Sequence, residues 1–129
     1  MNYEKSGNSI LFFDTYSFIE ISKGNGRYQK YTKDYSVITS IMNLYELYYK
    51  LMQSGKDAEA EILFEKFLPN CIEISPEIVK EASIFKLANK KLDLSYVDAL
   101  GYITAKRHNV KFLTGDEAFR KMENVEFVK

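Results

Sequence analysis

Ile10-Leu11-Phe12-Phe13-Asp14 is the most informative segment for the fold, because four consecutive apolar residues end abruptly at an acid. A short, wholly apolar run is typical of a strand buried on both faces of a parallel sheet. An acid directly after such a strand is costly unless it is solvated, paired or bound to a cation. The run therefore predicts a central strand and marks Asp14 as the first candidate functional residue.

Strand-like and helix-like spacing alternate along the rest of the chain. Short apolar runs predict further strands over residues 37–38, 71–74, 111–114 and 125–128. Apolar residues three and four apart, with caps and breakers at their ends, predict helices over 41–52, 58–67, 76–90 and 95–108, and leave room for another around 18–21. This alternation predicts an α/β layer fold around a mostly parallel sheet, in a single domain over residues 1–129.

The composition excludes several classes of protein. The 18 basic and 18 acidic residues balance, which argues against a uniformly basic coat for nucleic acid, although not against a local basic patch. One cysteine and one histidine argue against a disulfide and against a zinc site built from those ligands. The longest apolar run is far below the about 20 residues of a membrane span, and the start over residues 1–9 is polar, unlike a signal peptide. We therefore expect a cytoplasmic protein without a membrane partner.

Four acids fall near one edge of the predicted sheet. Asp14 and Asp116 each follow a predicted strand, and ligands of open parallel sheets usually bind beyond the carboxyl ends of the strands. Glu46 and Asp98 lie in the early turns of helices, from which they could face the same edge. Each has a structural interpretation too: Asp98 could cap its helix in a capping box with Ser95, Asp116 could be a turn or cap residue, and Glu46 could lie on a solvated helix edge.

Four carboxylates at one edge would repel one another unless some are protonated or a cation is bound. Ligation by oxygen alone suits a hard cation such as Mg²⁺ or Mn²⁺. Such ions commonly hold phosphate oxygens as well and lower the pKa of a bound water. The pattern therefore indicates metal-assisted hydrolysis of a phosphodiester bond.

Four motifs in order carry a resemblance to a known family: residues 10–15 (ILFFDT), 38–40 (ITS) leading to 44–47 (LYEL), 94–100 (LSYVDAL), and 112–116 (FLTGD) with Phe119. Together they resemble the PIN-domain nucleases, and their order and the chain length resemble the VapC-type toxins of toxin–antitoxin pairs. The resemblance covers residues 10–128.

The resemblance implies a three-layer α/β/α fold with a mostly parallel central sheet, and cleavage of RNA by a metal-activated water. It matches Asp14, Glu46, Asp98 and Asp116 to the family's acidic quartet for Mg²⁺ or Mn²⁺. Asp14 and Asp98 would be the principal ligands, Glu46 a ligand or a base, and Thr114 and Thr15 supporting polar residues. Tyr16 stands where the family often has Asn or Ser, a departure that bears on the fine tuning of the metal shell. A cognate antitoxin and a homodimer are also implied.

A basic segment over residues 23–33 carries four cations and no acid, with Tyr28 and Tyr31 among them. One interpretation is contact with RNA phosphates together with base stacking on the tyrosines. The other is an ordinary solvated helix or loop whose tyrosines pack inward. The cations in question are Lys23, Arg27, Lys30 and Lys33.

We therefore expect a metal-dependent endoribonuclease that is the toxin of a toxin–antitoxin pair. Two alternatives stay open at this point. One is a PIN-domain nuclease in housekeeping RNA processing or decay. The other is a metal-free module that binds RNA or protein and whose acids are structural.

Overall fold

A single four-stranded sheet forms the centre of the computed structural model, which describes residues 9–129. Its strands are β1 (Ser9–Phe13), β2 (Tyr35–Ile38), β3 (Lys111–Thr114) and β4 (Val125–Phe127), in the order β2-β1-β3-β4. All three pairings are parallel, which confirms the predicted sheet. The polar start that argued against a signal peptide falls almost wholly on residues 1–8, outside the described residues.

In the described part of the chain, six α-helices connect and cover these strands: α1 (Thr15–Ser22), α2 (Gln29–Lys33), α3 (Ile41–Gln53), α4 (Asp57–Phe67), α5 (Pro76–Ala88) and α6 (Tyr96–Arg107). Short 3₁₀ turns lie at Gly26–Tyr28, Leu68–Asn70, Lys90–Leu92 and Glu117–Phe119. Within residues 9–129, no helix has the length and apolar character needed to cross a membrane.

The apolar run of β1 is buried on both faces, as predicted, because alternate side chains of a strand point to opposite sides of the sheet. Phe12 packs on one side, in a cluster formed with α5 and α6. Leu11 and Phe13 pack on the other side, in a cluster formed with α1, α3 and α4. These two clusters confirm the three-layer α/β/α fold.

The strand predicted over residues 71–74 is wrong. Cys71 forms only an isolated parallel bridge with Thr39, and the backbone N–H of Ile72 donates to the Thr39 carbonyl at 2.9 Å. By this point β2 has already ended, so no strand remains beside which a longer ladder could form. Ile72 and Ile74 are half-buried against the cluster on the α5–α6 side, and this packing explains the apolar pattern that resembled a strand.

The topology gathers the sequence candidates at the carboxyl edge of the sheet. Helices that connect parallel strands run antiparallel to them, so their N-termini lie at the edge where the strands end. Helix α6 lies close against the sheet because Gly101 has no side chain. A Cβ there would lie 3.1 Å from the rings of both Phe12 and Phe112. The first turn of α6, which carries Asp98, is thereby brought near the ends of β1 and β3.

Candidate active site

The carboxyl edge of the sheet opens into a cleft of about 820 Å³. Residues from both sides of the sheet line it, together with the segments that follow β1 and β3. The structure brings all four predicted acids together in this cleft: Asp14, Glu46, Asp98 and Asp116.

Asp14 is buried at the point where β1 passes into α1, with only 3% of its surface exposed. It is the N-cap of α1, and its Oδ1 accepts a hydrogen bond from the backbone N–H of Ser17 at 2.8 Å. The Ser17 hydroxyl in turn donates to the Leu113 carbonyl at 2.8 Å. This pair of bonds ties α1 to β3 and fixes the carboxylate of Asp14 at the floor of the cleft.

Burial raises the pKa of Asp14 from 3.8 to about 7, because the ionised form loses its hydration. Hydrogen bonds from Thr114 and Ser17 lower the pKa, and the charge of Asp98 raises it again, but the loss of hydration outweighs these effects. Across residues 9–129, no cation forms an ion pair with any of the four cleft acids. The surroundings of Asp14 therefore favour a bound proton or a bound cation.

Asp98 lies in the first turn of α6 and forms the predicted capping box. The Ser95 hydroxyl accepts from the Asp98 backbone N–H at 3.0 Å, and Asp98 Oδ2 accepts from the Ser95 backbone N–H at 3.0 Å. Burial raises the pKa of Asp98, and the charges of Asp116 and Glu46 raise it further. Asp98 thus caps its helix and also lies within electrostatic reach of the other cleft acids.

Thr114, the last residue of β3, connects two of the acids. Its hydroxyl oxygen accepts from the backbone N–H of Asp116 at 3.0 Å, and its side chain also hydrogen-bonds Asp14. Asp116 caps the following 3₁₀ turn, since its Oδ1 accepts from the Ala118 backbone N–H at 3.0 Å. Thr114 therefore sets the position of Asp116 relative to Asp14.

Gly115 is required between Thr114 and Asp116 by a close approach of the chain. A Cβ at this position would collide with the ring of Tyr16 and with the carbonyl of Val128. Tyr16, the residue that departs from the family pattern, thus packs against the loop that carries Asp116 and forms part of the cleft wall.

Glu46 is half-buried on α3, whose first turn is tied to α1. The Ser40 hydroxyl caps α3 by accepting from the Asn43 backbone N–H at 3.2 Å, and Asn43 Nδ2 donates to the Thr15 hydroxyl at 3.3 Å. Residues three apart share a face of a helix, so Asn43 and Glu46 face the same side. Thr15 therefore helps to hold the helix that presents Glu46, and it also lines the cleft.

The cleft has an excess of negative charge. Among residues 9–129, six carboxylates and three lysines line it: the four acids above with Glu20 and Asp93, and the lysines Lys23, Lys50 and Lys86. Lys23 is 3.6 Å from a carboxylate oxygen of Glu20. Such an excess attracts a cation and would repel a phosphate unless a cation were bound.

The two tyrosines of the basic segment are buried, at 0% exposed for Tyr28 and 3% for Tyr31. The Tyr28 hydroxyl donates to the Val128 carbonyl, and the Tyr31 hydroxyl donates to the Glu126 carboxylate at 2.8 Å. The interpretation of these rings as stacking partners for bases is therefore wrong, and inward packing is correct. Tyr31 thus attaches the segment to β4, and Tyr28 attaches it to the residue that follows β4.

The cations of the same segment are exposed. Lys23 lines the cleft, whereas Arg27, Lys30 and Lys33 are not among the residues that line it. Contact between these three and RNA remains a prediction, and it would require a strand that extends beyond the cleft.

The cleft fits a hard cation by donor type. Its acids offer only oxygen donors, the kind that Mg²⁺ and Mn²⁺ prefer. Within residues 9–129, no three His, Cys, Asp or Glu side chains form a group that could hold an ion. Mg²⁺ usually keeps several of its waters and binds through one or two carboxylates. The oxygen donors of the cleft therefore fit a hard cation that keeps water in part of its coordination shell.

Sequence reasoning missed two buried polar residues of the site, Ser17 and Asn43. Ser17 follows the acid at the end of β1 by three residues, which is the spacing of an N-cap and its backbone donor. Asn43 lies four residues before Leu47 and eight before Leu51, on the inward stripe of α3. A polar residue on that stripe signals a buried hydrogen bond.

Comparison with known proteins gives one family match and several structural matches. The profile of the PIN domain matches residues 11–125. A toxin–antitoxin complex from Klebsiella pneumoniae is similar, with a TM-score of 0.72 at 19% identity over 90% of this chain and 95% of that chain. VapBC2 from Rickettsia felis, solved with a DNA fragment from their promoter, gives 0.68 at 20% identity over 92% of this chain and 97% of that chain. The curated proteins contain no significant match. The architecture is thus shared across nearly the whole chain.

Proposed function

Because this chain belongs to the PIN-domain family, we propose that it is a Mg²⁺- or Mn²⁺-dependent endoribonuclease that hydrolyses RNA phosphodiester bonds at the acidic cleft. The observation that carries the proposal is the buried carboxylate of Asp14, which lies in a cleft with three other acids and forms no ion pair within residues 9–129. Such an arrangement is stable when a cation supplies the missing charge.

In this proposal Asp14 and Asp98 hold the ion, while Asp116 and Glu46 hold and orient water around it. Thr114 fixes the positions of Asp14 and Asp116 relative to each other through its hydrogen bonds with both residues. When bound, Mg²⁺ or Mn²⁺ would supply a water of lowered pKa and positive charge for the phosphate oxygens. Glu46, which lines the same cleft, would act either as a further ligand of the ion or as a base that accepts a proton from the bound water.

We further propose that the chain is the toxin of a toxin–antitoxin pair, acts in the cytoplasm, binds a cognate antitoxin and forms a homodimer. Support comes from the structural likeness to toxin–antitoxin complexes over more than 90% of those chains. Growth arrest on expression, relieved by the product of an adjacent gene, is the expected result. If expression does not arrest growth and no adjacent gene encodes a protein that relieves it, the chain would instead act in RNA processing or decay. Sedimentation of the purified protein tests the dimer.

Cleavage of labelled RNA by the purified protein tests the nuclease directly. We expect cleavage with Mg²⁺ or Mn²⁺ and none with EDTA. We expect the rate of RNA cleavage to fall by about 10²-fold or more in Asp14→Asn and in Asp98→Asn, as is typical when a group that stabilises the transition state is removed.

Asp93→Asn is the matched control, because it removes a carboxylate from the same cleft. Asp93 has φ of 53°, a left-handed conformation that Asn tolerates well, so this variant should fold and should cleave like the wild type. Equal cleavage by the wild type, Asp14→Asn and Asp98→Asn would mean a contaminating nuclease and would overturn the proposal. Calorimetry without any Mn²⁺ binding would favour the metal-free binding module.

A further inference from the structure

Tyr96 has the most exposed large apolar side chain in residues 9–129, with 78% of its surface in solvent. It is the first residue of α6, next to the Ser95 cap and two residues before Asp98. Its ring lines the acidic cleft and also a shallow apolar groove between α5 and α6. Tyr96 therefore stands on the rim of the proposed active site and contributes little to the core.

Lys86 holds this ring in place. Its Nζ lies 5.0 Å from the centroid of the Tyr96 ring, a cation–π contact, and donates a hydrogen bond to the Leu94 carbonyl at 2.7 Å. The ammonium covers one face of the ring. Because 78% of the residue is exposed, the opposite face lies in solvent. The ring is thus anchored on one side and free to stack on the other.

We propose that Tyr96 is a stacking platform for an unpaired nucleobase beside the phosphate that is cut, and that Lys86 contacts the adjoining backbone phosphate. The inference rests on the proposed nuclease function and names a subsite of it. Stacking on an aromatic ring tolerates any base, since every base has a π face. A lysine ammonium has three N–H donors, and the Leu94 carbonyl takes one of them, so the others can reach a phosphate.

The position of the pair gives the subsite its specificity for single strands. Tyr96 and Asp98 share the first turn of α6, so a base on the ring lies close to the acid proposed to hold the ion. A base can stack on a protein side chain only when it has left its neighbours in a duplex. The pair would therefore admit loops and single strands and exclude paired RNA.

Affinity for a short single-stranded RNA, with Ca²⁺ in place of Mn²⁺ to limit cleavage, tests the subsite apart from catalysis. Tyr96→Ala should weaken binding by about ten- to a hundredfold, the range found for lost base stacking. Tyr96→Phe keeps the ring and should bind within about twofold of the wild type. A 2-aminopurine base in the RNA should lose fluorescence on binding to the wild type and to Tyr96→Phe but not to Tyr96→Ala.

Two further variants make the test specific. Tyr49→Ala removes another exposed tyrosine, 55% exposed on α3 and not among the residues lining the cleft, and should bind RNA like the wild type. Lys86→Met should reduce the salt dependence of binding by about 0.7 in the slope of log K against log salt, the loss of one single-strand phosphate contact.

Wild-type RNA affinity in a folded Tyr96→Ala protein would overturn the proposal. An equal loss in Tyr96→Phe would also overturn it, because the hydroxyl and not the ring would then be responsible. Cleavage is scored separately with Mn²⁺. If the wild type cuts RNA and Tyr96→Ala has the same KM, the subsite is refuted and the nuclease function is not. If the wild type binds RNA but does not cut it, the nuclease function is refuted.

Discussion

Replacing Asp14 by Asn is expected to stabilise the metal-free protein at neutral and alkaline pH while it abolishes cleavage. The Asn side chain keeps an oxygen for the N-cap bond from Ser17, and its amide can donate to the Thr114 hydroxyl. What it removes is a carboxylate whose pKa burial raises from 3.8 to about 7. An elevation of about three pKa units corresponds to a penalty of about 4 kcal/mol on the folded state when the group is ionised.

The sign of the pH dependence follows from the two titrations of Asp14. In the unfolded chain the carboxyl group loses its proton near pH 3.8, and in the folded protein near pH 7. Between these values the folded state binds more protons, so the free energy of unfolding of the wild type falls as the pH rises through this window. The penalty from Asp14 is absent below about pH 4 and complete above about pH 7.

Urea unfolding in EDTA at pH 5 and pH 8 measures this effect. At pH 8 the free energy of unfolding of Asp14→Asn should exceed that of the wild type by up to about 4 kcal/mol. This difference should become smaller toward pH 5. Saturating Mn²⁺ should stabilise the wild type and remove the difference in stability at pH 8, because only the wild type keeps the Asp14 carboxylate that would bind the ion. Exposed Asp93→Asn should show no such pH-dependent difference. Equal stability of Asp14→Asn and the wild type at pH 8 would mean that the buried carboxylate of Asp14 does not destabilise the fold.

Three other substitutions test how the site is held. Ser95→Ala removes the cap of α6 and the hydrogen-bond partner of Asp98. The free energy of unfolding measured in urea should fall by about 1 kcal/mol, and calorimetry should detect weaker Mn²⁺ binding. Unchanged values for both would contradict the capping role. Gly115→Ala forces a methyl group against the ring of Tyr16, so its Tm should fall and its cleavage should fall further, and a wild-type Tm would argue against the close approach. Phe112→Ala empties a fully buried position under α6 and should cost about 3–5 kcal/mol in urea, whereas a loss below about 1 kcal/mol would contradict the packing.

The parallel sheet could be predicted from the sequence because its two central strands are short apolar runs that end in polar residues. The same reasoning failed for residues 71–74, where a similar apolar spacing reflects packing of Ile72 and Ile74 against the core without a partner strand. Local pattern records whether a side chain is buried. It does not indicate whether the backbone of the same residues pairs with a neighbouring strand, which for residues 71–74 depends on where β2 ends.

The candidate site could be predicted in part for the same reason. Parallel strands bring their carboxyl ends to one edge, so the acids after β1 and β3 had to lie near each other. The support of Glu46 by Asn43 and Thr15 depends on a contact between α1 and α3, which no spacing along the chain encodes. The inward packing of Tyr28 and Tyr31 likewise depends on residues at the C-terminal end, 100 and 95 residues away along the chain.

Anomalous scattering from a crystal soaked in Mn²⁺ tests the claim that the acidic cleft holds a catalytic cation. We predict a manganese peak in the cleft within ligand distance of the carboxylates of Asp14 and Asp98, and no peak there in Asp14→Asn crystals. Wild-type crystals whose cleft is open to the soak and contains no manganese would contradict the claim.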